Sequence, residues 1–167
     1  METAYLSIGS NLGDREERVL RAVTRLDALP GMVISALSPL YETEPFECPP
    51  QPFFINMVVE VKTLLSPRDL IKRIQAIEAA MGRSGTRNEP REIDIDIVSF
   101  GETVLNEEDL VIPHPRYHRR AFVLEPLRSI APSFRCPLRG RGVGALLDEL
   151  PLHDRVAVVS TRRLIFK

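Results

Sequence analysis

At 167 residues, 44% of them hydrophobic and 27% charged, the chain has the composition of one globular domain spanning 1–167, long enough to bury about two-thirds of its unfolded surface. A net charge of −1, 6% aromatics and no tryptophan argue against a nucleic-acid-binding module, so any anion site has to be a local arginine cluster. Cys48 and Cys136 lack metal-ligand spacing and are expected to be reduced thiols of a cytoplasmic protein; the start carries no basic leader pattern, and no run approaches the ~18 apolar residues of a membrane span.

Ala4 to Ile8 reads as a strand, and Gly9-Ser10-Asn11-Leu12-Gly13-Asp14 as the turn into a helix. Its glycines lack the Gly-Lys-Ser/Thr ending of a phosphate loop, which favours a plain strand-to-helix turn capped by Asn11 or Asp14. The helix runs from Arg15 to about Leu29, with Val19, Val23 and Leu26 on one side, and ends at Pro30-Gly31. Met32 to Leu37 and Leu40 to Thr43 read as two strands parted by Ser38-Pro39. Prolines 45, 49, 50 and 52 remove ladder donors, so that stretch is a loop suited to binding. Phe53 to Leu64 is a long strand.

Ser66-Pro67-Arg68-Asp69 is a helix start, with serine as the cap, proline at the first helical position and an acid at the third. That helix turns Leu70, Ile71, Ile74, Ile77 and Met81 inward and stops at Gly82. Gln75 and Glu78 share a face and either touch a ligand or are solvated. Arg83 to Glu89 is a polar loop. Glu107-Glu108-Asp109 reads as an exposed acidic run without special meaning, and the segment 112–127 carries His114, Arg116, Arg119, Arg120 and Phe122. A short helix over 142–150 and a strand over 155–160 follow. The order β-α-β-β-α-β predicts an α+β, ferredoxin-like antiparallel sheet with helices packed on it.

Between the polar loop and residue 98 the sequence runs Pro90-Arg91-Glu92-Ile93-Asp94-Ile95-Asp96-Ile97-Val98. Period two puts the isoleucines on one strand face and Asp94 and Asp96 on the other, roughly 6.6 Å apart at Cα. Two such carboxylates repel unless a cation sits between them. A Mg²⁺ pair about 3.5–4 Å apart suits them and is a recurrent device for displacement at phosphorus. An acidic edge-strand face in water explains Asp-x-Asp alone equally well; Pro90-Arg91 upstream and the intervening isoleucines favour the metal site.

The string Pro90 to Val98 resembles the signature of the 6-hydroxymethyl-7,8-dihydropterin pyrophosphokinases. So, in register, do Tyr5 to Asp14, Tyr41 to Pro45, Gln51 to Asn56 and Ile112 to Arg116. The resemblance implies a three-layer α/β/α sandwich with helices on both sheet faces. It also implies transfer of the β,γ-diphosphate of ATP to the hydroxymethyl group of the dihydropterin in folate biosynthesis, leaving AMP. Asp94 and Asp96 would hold two Mg²⁺, with Arg83 and Arg91 completing the catalytic set. Ile71, Gln75, Glu78, Arg87, Ile97, His114 and Arg120 would meet the nucleotide. Thr43, Glu44, Phe46, Phe54, Asn56 and Phe122 would form the pterin pocket, the phenylalanines 54 and 122 stacking on the ring and Asn56 reading its edge.

The chain is then expected to be a monomer whose partners are ATP and the pterin, with neither nucleic acid nor membrane. It departs from the family pattern at Ser84-Gly85, Asn88 and Pro115, which puts in doubt only the closing contacts of the loop around Arg87. That loop is expected to close over both substrates. A non-enzymatic binding module and a two-metal phosphohydrolase are the competing classes.

Overall fold

The computed structural model describes residues 1–83, 89–151 and 157–160. Strand β1 (Glu2–Ser10) pairs antiparallel with β4 (Phe54–Thr63) on one side and with β5 (Asp94–Phe100) on the other. β2 (Met32–Leu37) and β3 (Leu40–Thr43) share the far side of β4: Met32 faces Thr63 and Leu37 faces Val59, then Tyr41 faces Asn56 and Thr43 faces Phe54. Ser38 bridges the break before Pro39. Its N–H donates to Val58 O and its Oγ accepts from Val58 N–H, both at 3.0 Å. β8 (Ala157–Ser160) pairs with β3, so the sheet reads β5-β1-β4-β3-β8. With β2 and β3 counted as one interrupted strand, this is the expected β-α-β-β-α-β succession.

Helix α1 (Arg15–Asp27) is capped by Asp14, which accepts from Glu17 N–H at 3.0 Å, and buries Val19, Ala22, Val23 and Leu26. Asn11, the other candidate cap, is engaged elsewhere. Helix α2 (Pro67–Ala80) begins at Ser66, which accepts from Asp69 N–H at 3.1 Å and donates to Asp69 Oδ2 at 2.7 Å. It buries Leu70, Ile74, Ile77 and, just beyond its end, Met81; Ile71 is half-buried. Gly82, at φ 83°, takes the left-handed conformation that ends such a helix cheaply only as glycine.

These helices share one apolar cluster with Leu6, Ile8, Ile55, Met57, Ile93, Ile95 and Ile97. A second cluster joins Val58 and Val98 to α3 (Ala121–Ile130) and α4 (Val143–Asp148) through Val123, Leu124, Leu127, Leu146 and Leu147. Alternation along β4 and β5 sorts neighbours into the two clusters: Met57 against Val58, Ile97 against Val98.

Four elements were not expected. α3 carries Pro126 in its interior, a residue that reads as a breaker, yet Val123, Leu124 and Leu127 supply enough buried surface to hold the turn. A single-turn helix covers Tyr117–Arg119, and β6 (Leu105–Asn106) pairs with β7 (Val111–Ile112). The acidic run beside β6 is not idle, because Arg68 bridges Glu107 and Asp109. Among the described residues no helix is long and apolar enough to cross a membrane.

Candidate active site

Asp94 and Asp96 stand on one face of β5, as the period of two requires, each partly exposed between buried isoleucines. Arg83, just past α2, reaches Asp94 Oδ1 at 2.9 Å and also pairs with Glu78; Arg91 reaches Asp94 Oδ2 at 2.9 Å. Burial, then the charge on Asp96, push the Asp94 carboxyl up from its ordinary range, against the pull of Arg91 and Arg83. Asp96 Oδ2 lies 3.7 Å from Arg120 Nη1 and 3.8 Å from His114 Nε2.

His114 accepts the Arg116 N–H at Nδ1, 3.1 Å away, so the neutral ring carries its proton on Nε2, towards Asp96. Burial and the charges of Arg120 and Arg116 press its pKa down to about 4. Arg120 is pushed down mainly by burial, and its Nε is buried without a hydrogen-bond partner. A guanidinium with an unspent donor facing a pair of carboxylates is suited to an anion that arrives with its own counter-ions.

A cavity of about 240 Å³ opens beside this cluster, on the strand face that carries Asp94, Asp96 and Asn56. It is lined by Arg83, Arg91, Asp94, Asp96, His114 and Arg120 on one side and by Thr43, Glu44, Phe46, Phe54, Asn56 and Phe122 on the other. Asn56 is buried and donates to Thr43 Oγ1 at 2.7 Å. A Cβ on Gly9 would run into Asn56 Oδ1, so glycine is what lets that amide lie against β1. Phe46 and Phe122 meet edge-on at 6.2 Å between centroids, and the Arg120 guanidinium sits 5.4 Å over the Phe122 ring. The apolar rings and the fixed amide suit a flat heteroaromatic with a donor–acceptor edge.

A second, more open hollow is lined by Ile71, Gln75, Glu78 and Ala79 of α2 together with Ile95, and it shares Arg83 and Asp96 with the first. Ile97 lines neither: the alternation that exposes Asp96 turns Ile97 into the apolar cluster, where it is 5% exposed. Glu78 is not solvated; it is 4% exposed and accepts the Ile95 N–H at 2.7 Å. Arg87 lies outside the described residues. Ser7, Cys48 and Arg116, to which sequence reasoning assigned no place in the site, also line the first cavity. The Arg116 guanidinium lies 3.9 Å from Glu47, a partner in the proline-rich loop that no local pattern announces.

No group of three or more His, Cys, Asp or Glu side chains suited to a metal occurs among the described residues. Two carboxylates alone suit Mg²⁺, which keeps waters and completes its shell with substrate phosphates rather than with a full protein cage. Each Asp94 oxygen holds one arginine and has a further lone pair, so the donor set fits that ion.

The family model described as 7,8-dihydro-6-hydroxymethylpterin-pyrophosphokinase matches residues 5–132. The chain is 40% identical over 152 residues to the 2-amino-4-hydroxy-6-hydroxymethyldihydropteridine pyrophosphokinase of Pseudomonas aeruginosa, covering 90% of this chain and 93% of that one. It is 42% identical over 149 residues to the folic acid synthesis protein fol1 of Schizosaccharomyces pombe, covering 89% of this chain and about a fifth (20%) of that much longer protein. Its fold is similar to that of wild-type HPPK-DHPS of Plasmodium falciparum, with a TM-score of 0.71 at 17% identity over 89% of this chain and 44% of that one.

Proposed function

Because the chain belongs to the 7,8-dihydro-6-hydroxymethylpterin-pyrophosphokinase family, we propose that it transfers the terminal diphosphate of ATP to 6-hydroxymethyl-7,8-dihydropterin in folate biosynthesis. A bond forms between the hydroxymethyl oxygen and the β-phosphorus, the bond from that phosphorus to the α,β-bridging oxygen breaks, and AMP leaves as the hydroxyl proton is lost. The observation that carries the reading is the pair of hollows meeting at Arg83 and Asp96, one walled by aromatic rings and an amide, the other by α2.

In this reading Phe54 and Phe122 hold the pterin ring, Asn56 and the backbone at Thr43, Glu44 and Phe46 fix its edge, and the hydroxymethyl arm points at the acidic strand. Ile71, Gln75 and Glu78 flank the adenosine. Arg83, Arg91, His114 and Arg120 neutralise the polyphosphate and hold it in line, which is most of what a protein contributes to phosphoryl transfer. Asp94 and Asp96 would hold Mg²⁺, two ions in our reading, which when bound supply charge neutralisation on the phosphates and lower the pKa of the attacking hydroxyl. The sorting of strand neighbours into two apolar clusters supports helices on both sheet faces, a three-layer α/β/α sandwich.

The test is to incubate the protein with ATP and Mg²⁺, with and without hydroxymethyl-dihydropterin, and to measure AMP and the pterin diphosphate. Formation of both only when the pterin is present supports the assignment. AMP or phosphate release that ignores the pterin replaces it with a phosphohydrolase.

A further inference from the structure

Asn11 stands at the end of β1, 2% exposed, with its side-chain oxygen and both of its amide hydrogens engaged. Its Oδ1 accepts from Arg91 N–H at 2.8 Å, and its own N–H donates to Arg91 O at 3.3 Å, so it grips the Arg91 peptide from both ends. Its Nδ2 donates to Gln51 Oε1 at 2.9 Å and to Pro52 O at 3.1 Å. Gln51 in turn donates to Cys48 Sγ at 3.1 Å and to Pro49 O at 3.3 Å. One buried carboxamide therefore joins two walls of the site. On one side is the backbone whose next contact is the Arg91–Asp94 pair; on the other is the proline-rich loop leading from Cys48 into Phe54.

We propose that Asn11 is a positioning residue that couples the pterin wall to the phosphate wall, so that filling either favours binding at the other. The inference rests on the pyrophosphokinase reading above. A carboxamide is suited to the task because it offers an acceptor and two donors in one plane, whereas prolines leave the loop few N–H groups of its own. Gln51 cannot turn its amide to rescue a lost partner without giving up Cys48 and Pro49. A loop placed by Arg91 is placed with Asp94, and a pterin that seats Phe54 and the 48–52 segment holds Asn11 and, through it, the Arg91 peptide. Linkage makes the effect reciprocal.

Asn11→Asp is the decisive variant, because it keeps the acceptor for Arg91 N–H and loses the donors to the loop. Calorimetric titration of a non-hydrolysable ATP analogue with Mg²⁺, with and without the pterin, gives the coupling factor. Wild type should show at least about fivefold tighter analogue binding with pterin present. Asn11→Asp, and separately Gln51→Ala in case the first variant folds poorly, should bring that factor to within about twofold of one. Analogue affinity without pterin should stay close to wild type, a split that general loss of structure would not produce. A wild-type factor near one, or a variant that keeps the wild-type factor, overturns the proposal. Absence of pterin-dependent AMP formation in wild type would instead remove the underlying reading.

Discussion

The carboxylate of Glu78, on α2, accepts a hydrogen bond from the backbone N–H of Ile95 at 2.7 Å, between the two aspartates of the acidic strand. β5 is the edge of the sheet, and this side chain takes a donor that would otherwise be left buried on its outer side. The same carboxylate pairs with Arg83, while burial pushes it up from the ordinary range. Glu78→Ala should cost about 1–3 kcal/mol, the penalty for an orphaned buried donor, lowering Tm by roughly 2–4 °C for each kcal/mol. Glu78→Gln keeps an acceptor and should lose less. Equal melting of the two variants would show that the Ile95 bond contributes nothing.

Replacing Asp94 or Asp96 by Asn removes one of the two charges proposed to hold Mg²⁺, and turnover should fall by about 10²-fold or more. Asp94→Asn also frees Arg83 and Arg91, so it should disturb stability more than Asp96→Asn. Rates of AMP formation beside thermal melts separate the two effects. Near-normal turnover in either variant would refute the metal assignment.

Gly9→Ala drives a methyl group into Asn56 Oδ1. The amide has to swing away from Thr43 or the strand has to shift, and pterin affinity should weaken by about 1–2 kcal/mol through the misplaced hydrogen-bonding edge. ATP binding should change less. A pterin titration that cannot tell the variant from wild type would show that Asn56 is not the edge reader.

Phe122→Ala should weaken pterin binding by roughly 1–3 kcal/mol through lost stacking and burial. Phe122 also packs on the second apolar cluster, so a small fall in Tm accompanies the loss. Equal weakening of ATP and pterin, or collapse of the fold, would make it a core residue first.

With its pKa near 4 in the folded protein and 6.5 as the ordinary value, His114 refuses a proton that the unfolded chain accepts. Its contribution to stability is complete above about pH 6.5 and is lost as pH falls from there towards 4, by on the order of 2–3 kcal/mol. The melting temperature of wild type relative to His114→Gln should therefore decline through that window and be flat above it. A parallel pair of curves would mean the imidazole titrates normally.

The alternation of Ile93, Asp94, Ile95, Asp96 and Ile97 foretold which strand face meets the site, because a backbone of period two leaves no choice once the isoleucines are buried. Ser66-Pro67 and Asp14 announced their helices for a similar local reason. Helix α3 was not read from the sequence: Pro126 stands in its interior, and the burial that outweighs the local cost of a proline comes from α4 and the sheet. Asn11 and Glu78 were legible as residues but not as joints: their partners are 80 and 17 positions away, and a spacing pattern does not reach that far. Ile97, expected to meet the nucleotide, has its side chain in the core, where the strand's own period puts it.

The two hollows are not separable units, because Arg83 and Asp96 belong to the walls of both. On the function proposed above, selection for resistance to an inhibitor lodged in one of them cannot act on those two positions without reshaping the hollow assigned to the other ligand. Escape routes would then run through the outer walls, through Cys48 or Gln75, where a change in volume is felt on one side alone. An inhibitor anchored on the shared wall would leave the protein the fewest viable substitutions.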